Sequence, residues 1–400
     1  MALKLLINSL FRGGAEKQFA ALSARLPADA VLLLENEIAL PADRSRLSAL
    51  SAHTATTSAV VKTLSIPAYA RALSALAGPG DTVLSFMERA NIVNVLAAGR
   101  SGHRAVICER TRPSGEFSGL RGALMRPLIR RYYRRAALVV ANSEGVRRDL
   151  AENFSVPPEK LRVVRNGYDT TAIAAQARVP LEPAWARVFE RPALVTSGRL
   201  TPAKGQWHLL RIFREVKRAV PEAALVLVGD GELKGYLEGL AAGLGLKVFS
   251  APGTPPPDED VYFAGFRENP HNFTAAARLF VFTSLWEGFP NALVEALACG
   301  APVMAADCDS GPREILAPGT SLGSRGPERA RYGVLMPALS GRRPPETVPP
   351  EPMEAAWADA IQTLLKDGKA LEDYARTGTA RAADFSLDKA AALWKELLTT

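Results

Sequence analysis

Leu279-Phe280-Val281-Phe282-Thr283-Ser284-Leu285-Trp286-Glu287-Gly288-Phe289-Pro290-Asn291-Ala292-Leu293-Val294-Glu295 decides the fold. Its first five residues form a short apolar run, which predicts a strand buried on both faces. A loop then carries Glu287 and Gly288, and Pro290 suits the first turn of a helix. A strand leaving through a loop into a helix is the repeating unit of a parallel α/β sheet. In such sheets ligands bind beyond the carboxyl ends of the strands. The free N–H groups of the helix start, with its positive dipole end, make a cup for oxygens and anions. Glu295 lies one to two turns into the helix, so both carboxylates can reach one ligand. Each can accept two hydrogen bonds from vicinal hydroxyls, which is what a ribose or a hexose offers. Acid at a helix start is also favoured for its own sake. Here the Gly-Phe-Pro turn and the small residues of Ala296-Leu297-Ala298-Cys299-Gly300 argue for close packing around a site.

Outward from this stretch the same alternation fills the chain. Strands are expected at Leu3–Asn8, Val31–Leu34, Ala59–Leu64, Thr82–Phe86, Ala105–Cys108, Leu138–Ala141 and Leu161–Val164. A second series follows at Ala193–Ser197, Ala224–Val228, Val261–Ala264, Leu279–Thr283, Pro302–Ala305 and Val334–Met336. Thr170–Pro192 is polar and Pro-containing, and serves as the linker between the two series. The expected domains are 1–175, 190–376 and a C-terminal segment 380–400. The last holds a helix at Leu387–Leu398, after a break near Thr377–Thr379, that could fold back on the first domain. The 400 residues, 48% hydrophobic and 22% charged, suffice for two ordinary cores. No stretch approaches the ~20 apolar residues of a membrane helix, and the N-terminal run is expected to be a first strand rather than a signal peptide.

Two further loops carry chemistry. Ser197-Gly198-Arg199-Leu200-Thr201-Pro202-Ala203-Lys204-Gly205 places Arg199 and Lys204 between a strand and a helix start. Two cations there suit a diphosphate: Arg grips it bidentately and Lys adds a point charge. Arg12-Gly13-Gly14-Ala15-Glu16 follows the first strand, where paired glycines let backbone approach a ligand closely. It is not the G-x-G-x-x-G fingerprint of dinucleotide folds.

Taken together, these three elements resemble glycosyltransferase family 4, with its E-x7-E element, Gly-Arg…Lys-Gly loop and N-terminal Gly-Gly turn. Asn142-Ser143-Glu144, Asn166-Gly167-Tyr168-Asp169 and Val228-Gly229-Asp230-Gly231 extend the resemblance over almost the whole chain. Asp307-Cys308-Asp309-Ser310-Gly311-Pro312-Arg313-Glu314-Ile315-Leu316 is similar to the branch that builds bacterial surface glycans and lipid-linked oligosaccharides. The resemblance implies a retaining glycosyltransferase of the GT-B class: two facing Rossmann-like doubly wound domains, a donor cleft between them, and the donor in the C-terminal one. It implies that Arg199 and Lys204 neutralise the departing diphosphate. Glu287, with the backbone running through Gly288, Phe289, Pro290 and Asn291, would hold the donor sugar, and Glu295 the ribose. Gly13 and Gly14 would let the first domain close over the phosphates. The implied donor is a UDP-linked hexose or N-acetylhexosamine, and the acceptor a surface glycan or a polyprenyl-diphosphate-linked saccharide.

The family's His-Asp pair is missing. The corresponding strand ends Val106-Ile107-Cys108-Glu109-Arg110, and none of His53, His103, His208 or His271 replaces it. Glu109 is the candidate in its place, as base or acceptor ligand, or else as a holder of its own loop. No metal and no cofactor are expected, because Arg199 and Lys204 stand where a cation would. Asp307-Cys308-Asp309 matches a metal-binding D-x-D pattern, but its place after a strand favours a loop. Three cysteines without C-x-x-C spacing imply reduced thiols rather than a disulfide frame.

Charge supplies the last expectation. Between Arg100 and Leu150 lie twelve Arg, no Lys and four acids, a surplus of eight that equals the chain's formal net charge of +8. Wound as a helix, Arg121–Arg135 puts Arg126, Arg130 and Arg134 on one face, with Leu124, Leu128, Ile129 and Tyr132 roughly opposite. Six Arg without an interspersed acid suit an anionic leaflet at roughly 1 kcal/mol each, which implies an enzyme on the cytoplasmic face of the plasma membrane. No nucleic-acid module accompanies the patch. The rivals are a GT-B sugar-nucleotide epimerase and a catalytically inactive scaffold for glycan assembly. The basic arm and E-x7-E disfavour the first, and the intact Glu287, Glu295, Arg199 and Lys204 disfavour the second.

Overall fold

The computed structural model describes residues 2–11, 13–40, 43–117, 119–321, 323, 326–345 and 347–399. The chain divides into two compact units, Met1–Tyr168 with Phe385–Thr400, and Asp169–Asp384.

The first unit holds β1 (Leu3–Ile7), β2 (Ala30–Leu33), β3 (Leu47–Ala49), β4 (Thr82–Phe86), β5 (Arg104–Glu109), β6 (Leu138–Ala141) and β7 (Leu161–Val163). They make one parallel sheet in the order β3-β2-β1-β4-β5-β6-β7. Alternate residues enter two separate cores. Leu6, Val83, Ile107 and Val139 face one, and Ile7, Leu84, Val106 and Val140 the other. Burial on both faces explains why these strands are unbroken apolar runs. The closing helix, Leu387–Thr399, covers the second face, where Trp394 packs 5.9 Å from the Phe86 ring.

The second unit holds β8 (Ala193–Ser197), β9 (Ala224–Val228), β10 (Val248–Ser250), β11 (Val261–Gly265), β12 (Leu279–Phe282), β13 (Val303–Ala306), β14 (Glu328–Ala330) and β15 (Gly333–Met336). Their order is β10-β11-β9-β8-β12-β13-β15-β14, parallel except for the β14–β15 pair. Both sheets are doubly wound. The chain reverses its direction of strand addition between β1 and β4 in one and between β8 and β12 in the other, and ligand crevices form at such switch points.

Several local expectations are corrected. Ala59–Leu64 is a helix, not a strand: Ser58 caps it by accepting from the Val61 N–H, and Val60 and Leu64 are 68% and 75% exposed. Thr170–Pro192 is not bare linker but folds into the helices Thr170–Ala177 and Pro183–Val188. No break occurs at Thr377–Thr379, which lie inside the helix Gly368–Ala382. Their hydroxyls donate to the carbonyls of Asp373 and Ala375 four residues back, and Gly378 lets the helix approach Leu297 closely. Among the described residues no helix is long and apolar enough to cross a membrane.

Candidate functional site

The β8/β12 switch brings together the two loops that carried chemistry in the sequence. β8 runs out through Gly198 and Arg199 into a single 3-10 turn, Pro202–Lys204. Gly205 then takes φ +60 to start the helix Gln206–Ala219, and a Cβ there would sit 2.6 Å from the Thr283 carbonyl. Only glycine combines that conformation with that contact. The Thr283 hydroxyl donates to the Lys204 carbonyl at 3.0 Å and the Leu285 N–H to the Ala203 carbonyl at 2.8 Å, which stitches the two loops together.

Across this seam Lys204 Nζ meets Glu287 Oε1 at 2.5 Å, with side chains 24% and 13% exposed. A half-buried pair of this kind fixes both groups, and screening by solvent and salt weakens less than at an open surface. Arg199 is exposed and its guanidinium makes no hydrogen bond or ion pair with the described residues. Gly288, Phe289 and Pro290 are buried and lead into the helix Asn291–Ala298, with Pro290 at its cap. The Ser310 hydroxyl donates to the Glu287 carbonyl at 2.5 Å, so the loop after β13 props the turn. Glu295 is half-buried in that helix. Gln206 Oε1, at the start of the helix after Gly205, and Ser284 Oγ, in the loop after β12, are buried without a partner, an arrangement that native cores avoid unless a ligand or water completes it.

Asp307 does not stand free for a metal. Arg313 grips both of its oxygens, Nη2 to Oδ2 at 2.6 Å, with the two side chains 6% and 2% exposed. The same guanidinium reaches Glu328 at 2.7 Å and fastens β14 at the sheet edge.

In the first unit Gly13 caps the helix Gly14–Ser23, and the Glu16 carboxylate lies back over Gly13. Arg12 lies outside the described residues. Across the β1/β4 switch, Asn8 Oδ1 accepts from the Ala90 N–H at 3.2 Å. Met87, which follows β4 and caps the helix Glu88–Ser101, takes φ 75, a region side-chain-bearing residues rarely adopt and one often found at functional sites. Glu109 ends β5 and is 1% exposed. The Tyr133 hydroxyl donates to its Oε2 at 2.5 Å, and the Arg110 and Thr111 N–H groups to its Oε1 at 2.8 and 3.2 Å. Burial, with the nearby Glu88 charge, pushes its carboxyl up to about 7. These bonds tie the loop after β5 to the carboxylate. Two of the histidines are engaged in the interior: His103, held by Ser101 and Asn94, is pushed down to about 4 by burial, and His208 binds Glu354.

The basic helix is Gly119–Tyr133, with Pro127 inside it. Its buried side is Met125, Ile129 and Tyr133, with Leu128 and Tyr132 half-buried against the same core; of the apolar face drawn from sequence only Leu124 is corrected, being 58% exposed. Arg130, Arg131 and Arg134 face solvent. Arg126 spends its guanidinium on the carbonyls of Phe117 and Ser114, at 2.9 and 2.7 Å.

Two family models match the chain. Glycosyltransferase Family 4 covers residues 12–172, and Glycosyl transferases group 1 covers 191–367. Among curated proteins the chain is similar to an uncharacterised glycosyltransferase of Methanocaldococcus jannaschii, 29% identical over 332 residues, 80% of this chain and 79% of that one. It is also similar to the N-acetylgalactosamine-N,N'-diacetylbacillosaminyl-diphospho-undecaprenol 4-alpha-N-acetylgalactosaminyltransferase of Campylobacter jejuni, 27% identical over 97% of both chains. Among solved structures, Anabaena HepE in complex with UDP-glucose superposes with a TM-score of 0.72 at 22% identity over 100% of both chains. Sucrose-phosphate synthase of Thermosynechococcus elongatus gives 0.74 at 18% identity, over 99% of this chain and 98% of that one. These likenesses show the GT-B fold.

Proposed function

This chain belongs to glycosyltransferase family 4 and transfers a sugar from a nucleotide-sugar, and from that premise we propose that the donor is a UDP-linked hexose or N-acetylhexosamine and the acceptor a lipid-linked or surface-glycan saccharide. The observation that carries the reading is the Lys204–Glu287 pair at the β8/β12 switch, with the Arg199 guanidinium exposed beside it. Cleavage of the sugar–diphosphate bond puts negative charge on the departing oxygen. Lys204 and Arg199 stabilise that charge more than they stabilise the bound donor, which is what lowers a barrier. Glu287 orients Lys204 and, with the backbone from Gly288 to Asn291, holds the sugar; Glu295 takes the ribose hydroxyls. The product keeps the donor's anomeric configuration, and the acceptor proton passes to the departing diphosphate, since Glu109 is turned inward to Tyr133. The uridine nucleotide is supported by UDP-glucose in the Anabaena structure, and the lipid-linked acceptor by the undecaprenol substrate in the Campylobacter relative's name.

A thermal-shift panel of nucleotide sugars tests this. A UDP-sugar at ~100 times its dissociation constant should add about 2.7 kcal/mol of stability, equally in excess EDTA and in magnesium, while GDP- and ADP-sugars add none. Stabilisation by another nucleotide alone, or one that needs magnesium, would overturn the donor assignment.

Arg130, Arg131 and Arg134, with Leu124 exposed on the same helix, support contact with an anionic leaflet. The parent protein should sediment with phosphatidylglycerol vesicles at low salt and be released at high salt. Reversal of these three arginines to Glu, sparing the internally bonded Arg126, should abolish sedimentation. A parent that stays in the supernatant at low salt would leave the helix as an ordinary solvated surface.

A further inference from the structure

The helix Ala59–Leu64 reverses the polarity of an ordinary surface helix. Its one charged residue, Lys62, points inward, where Nζ meets Glu35 Oε2 at 2.7 Å with side chains 10% and 5% exposed. Arg89 also grips Glu35, so a buried charge cluster fastens the helix to the first unit. The apolar residues point outward: Val60, Val61 and Leu64 are 68%, 45% and 75% exposed. A solvated helix places these residue types the other way round. Exposed aliphatic residues gathered on one element mark an interaction surface.

The stripe continues past the helix end. Ser65 closes this helix and opens the next, Ile66–Leu76, and keeps right-handed helical angles between them. Exposed Pro67, Ala68 and Arg71 therefore follow Leu64 at helical spacing, while Ile66, Tyr69, Ala70 and Leu73 enter the core. Between Asp43 and Asp81 the sequence has no acid, and Arg44 and Arg71 are exposed. Tyr69, the one aromatic of that segment apart from His53, is buried, and Val and Leu rarely anchor protein–protein interfaces. Aliphatic surface with basic flanks suits the boundary between headgroups and acyl chains of an anionic leaflet. The basic helix Gly119–Tyr133 covers the same face of the first sheet, since its Met125, Ile129 and Tyr133 enter the same core as Ile66, Tyr69 and Leu73.

We propose that Val60, Val61 and Leu64 form a hydrophobic wedge that inserts into the acyl boundary of an anionic leaflet. The choice of a leaflet as partner rests on the membrane reading of the basic helix; the wedge itself rests on the outward aliphatic face. The arginines draw the first unit to the surface and the wedge adds apolar burial, the two signals that stable attachment takes. Lys62, neutralised by Glu35, keeps its charge off the inserting face.

Leu64→Trp puts a fluorescent reporter on the wedge, against native Trp185, Trp207, Trp357 and Trp394 that are fully buried. At low salt, phosphatidylglycerol vesicles with brominated acyl chains should quench the fluorescence this variant adds to the parent's, and unbrominated vesicles should not. Val60→Ser with Leu64→Ser should bind these vesicles at least ~10-fold more weakly than the parent. The steepness of its salt dependence should be unchanged, since the arginines stay. Both sites are exposed, so the fold survives. A parent that sediments, with no added quenching in Leu64→Trp or with a serine pair that binds as the parent does, overturns the wedge and leaves the arginine reading standing. Quenching that survives reversal of Arg130, Arg131 and Arg134 to Glu sinks the arginine reading and leaves the wedge. A parent that stays in the supernatant at low salt overturns both. A parent dimer that the serine pair dissociates, without quenching by vesicles, would assign the stripe to a second copy of the chain and overturn the proposal.

Discussion

Lys204→Met should lower kcat by about 10²–10³, the loss measured elsewhere when one fixed donor to a developing oxyanion is removed. Two effects act together. The cation that would meet the departing diphosphate is gone, and Glu287, 13% exposed and paired to Lys204 at 2.5 Å, is left as an uncompensated negative charge beside the phosphates. The second effect can be separated from the first. Because the two residues touch, their substitutions should not add, and Lys204→Met with Glu287→Gln should be no slower than Lys204→Met alone. Single-turnover kinetics with a UDP-sugar reads both numbers. A Lys204→Met enzyme as fast as the parent would remove Lys204 from the chemistry.

Glu354→Ala should destabilise the second unit by about 3–5 kcal/mol, the usual cost of leaving a buried charge unpaired. Glu354 is fully buried between Arg211 at 3.0 Å and His208 at 2.6 Å, and closes a capping box by accepting from the Glu351 N–H at 2.8 Å. Arg211, 1% exposed, also donates to the carbonyls of Pro345, Val348 and Pro349, so its orientation fixes the Pro-rich loop before the helix Pro352–Lys366. Burial pushes the Glu354 carboxyl up, but the His208 and Glu351 hydrogen bonds and the Arg211 charge outweigh it and hold the group below the ordinary 4.5. A depressed carboxyl stabilises the fold above its unfolded value and loses that contribution as pH falls through the folded one. For a unit of this size the expected fall in Tm at pH 7 is about 6–20 °C, narrowing on acidification. A Tm equal to the parent's would show that the cluster contributes nothing.

The strands that sequence placed well are those buried on both faces. Thr82–Phe86, Leu138–Ala141, Ala193–Ser197 and Ala224–Val228 match the structure residue for residue, because double burial demands an unbroken apolar run. The three strands missed, Leu47–Ala49, Val248–Ser250 and Glu328–Ala330, are three-residue edge or near-edge pieces with no buried position. Their residues are half-buried or exposed, and they leave no fully buried apolar run to read. Ala59–Leu64 misled for the opposite reason: its β-branched residues are apolar yet face solvent, while Lys62 turns inward to Glu35 at 2.7 Å. At the site, residue types and spacing singled out the two loops that the β8/β12 switch brings together, since a cation pair and a carboxylate pair each follow a strand. What no spacing could reveal was that Lys204 and Glu287, 83 positions apart, form one ion pair, because that depends on β8 and β12 lying side by side. The burial of Arg110 against Asn166, without a carboxylate partner among the described residues, was hidden likewise. A charged residue at a strand end is commonplace, and only the structure shows that no acid meets it.

The central claim is that the loops after β8 and β12 hold the donor, with Glu295 on the ribose and Glu287 on the sugar. UDP titrated calorimetrically into Glu295→Gln and Glu287→Gln tests it most directly. Glu295 is half-buried and makes no hydrogen bond or ion pair with the described residues beyond its own helix, so its carboxylate is available to two hydroxyls. A charge-assisted bond of about 1.5–3 kcal/mol predicts that Glu295→Gln binds UDP roughly 10- to 150-fold more weakly. Glu287→Gln should bind UDP as the parent does and transfer sugar more slowly. Equal loss of UDP affinity in the two variants, or no loss in either, would contradict the account.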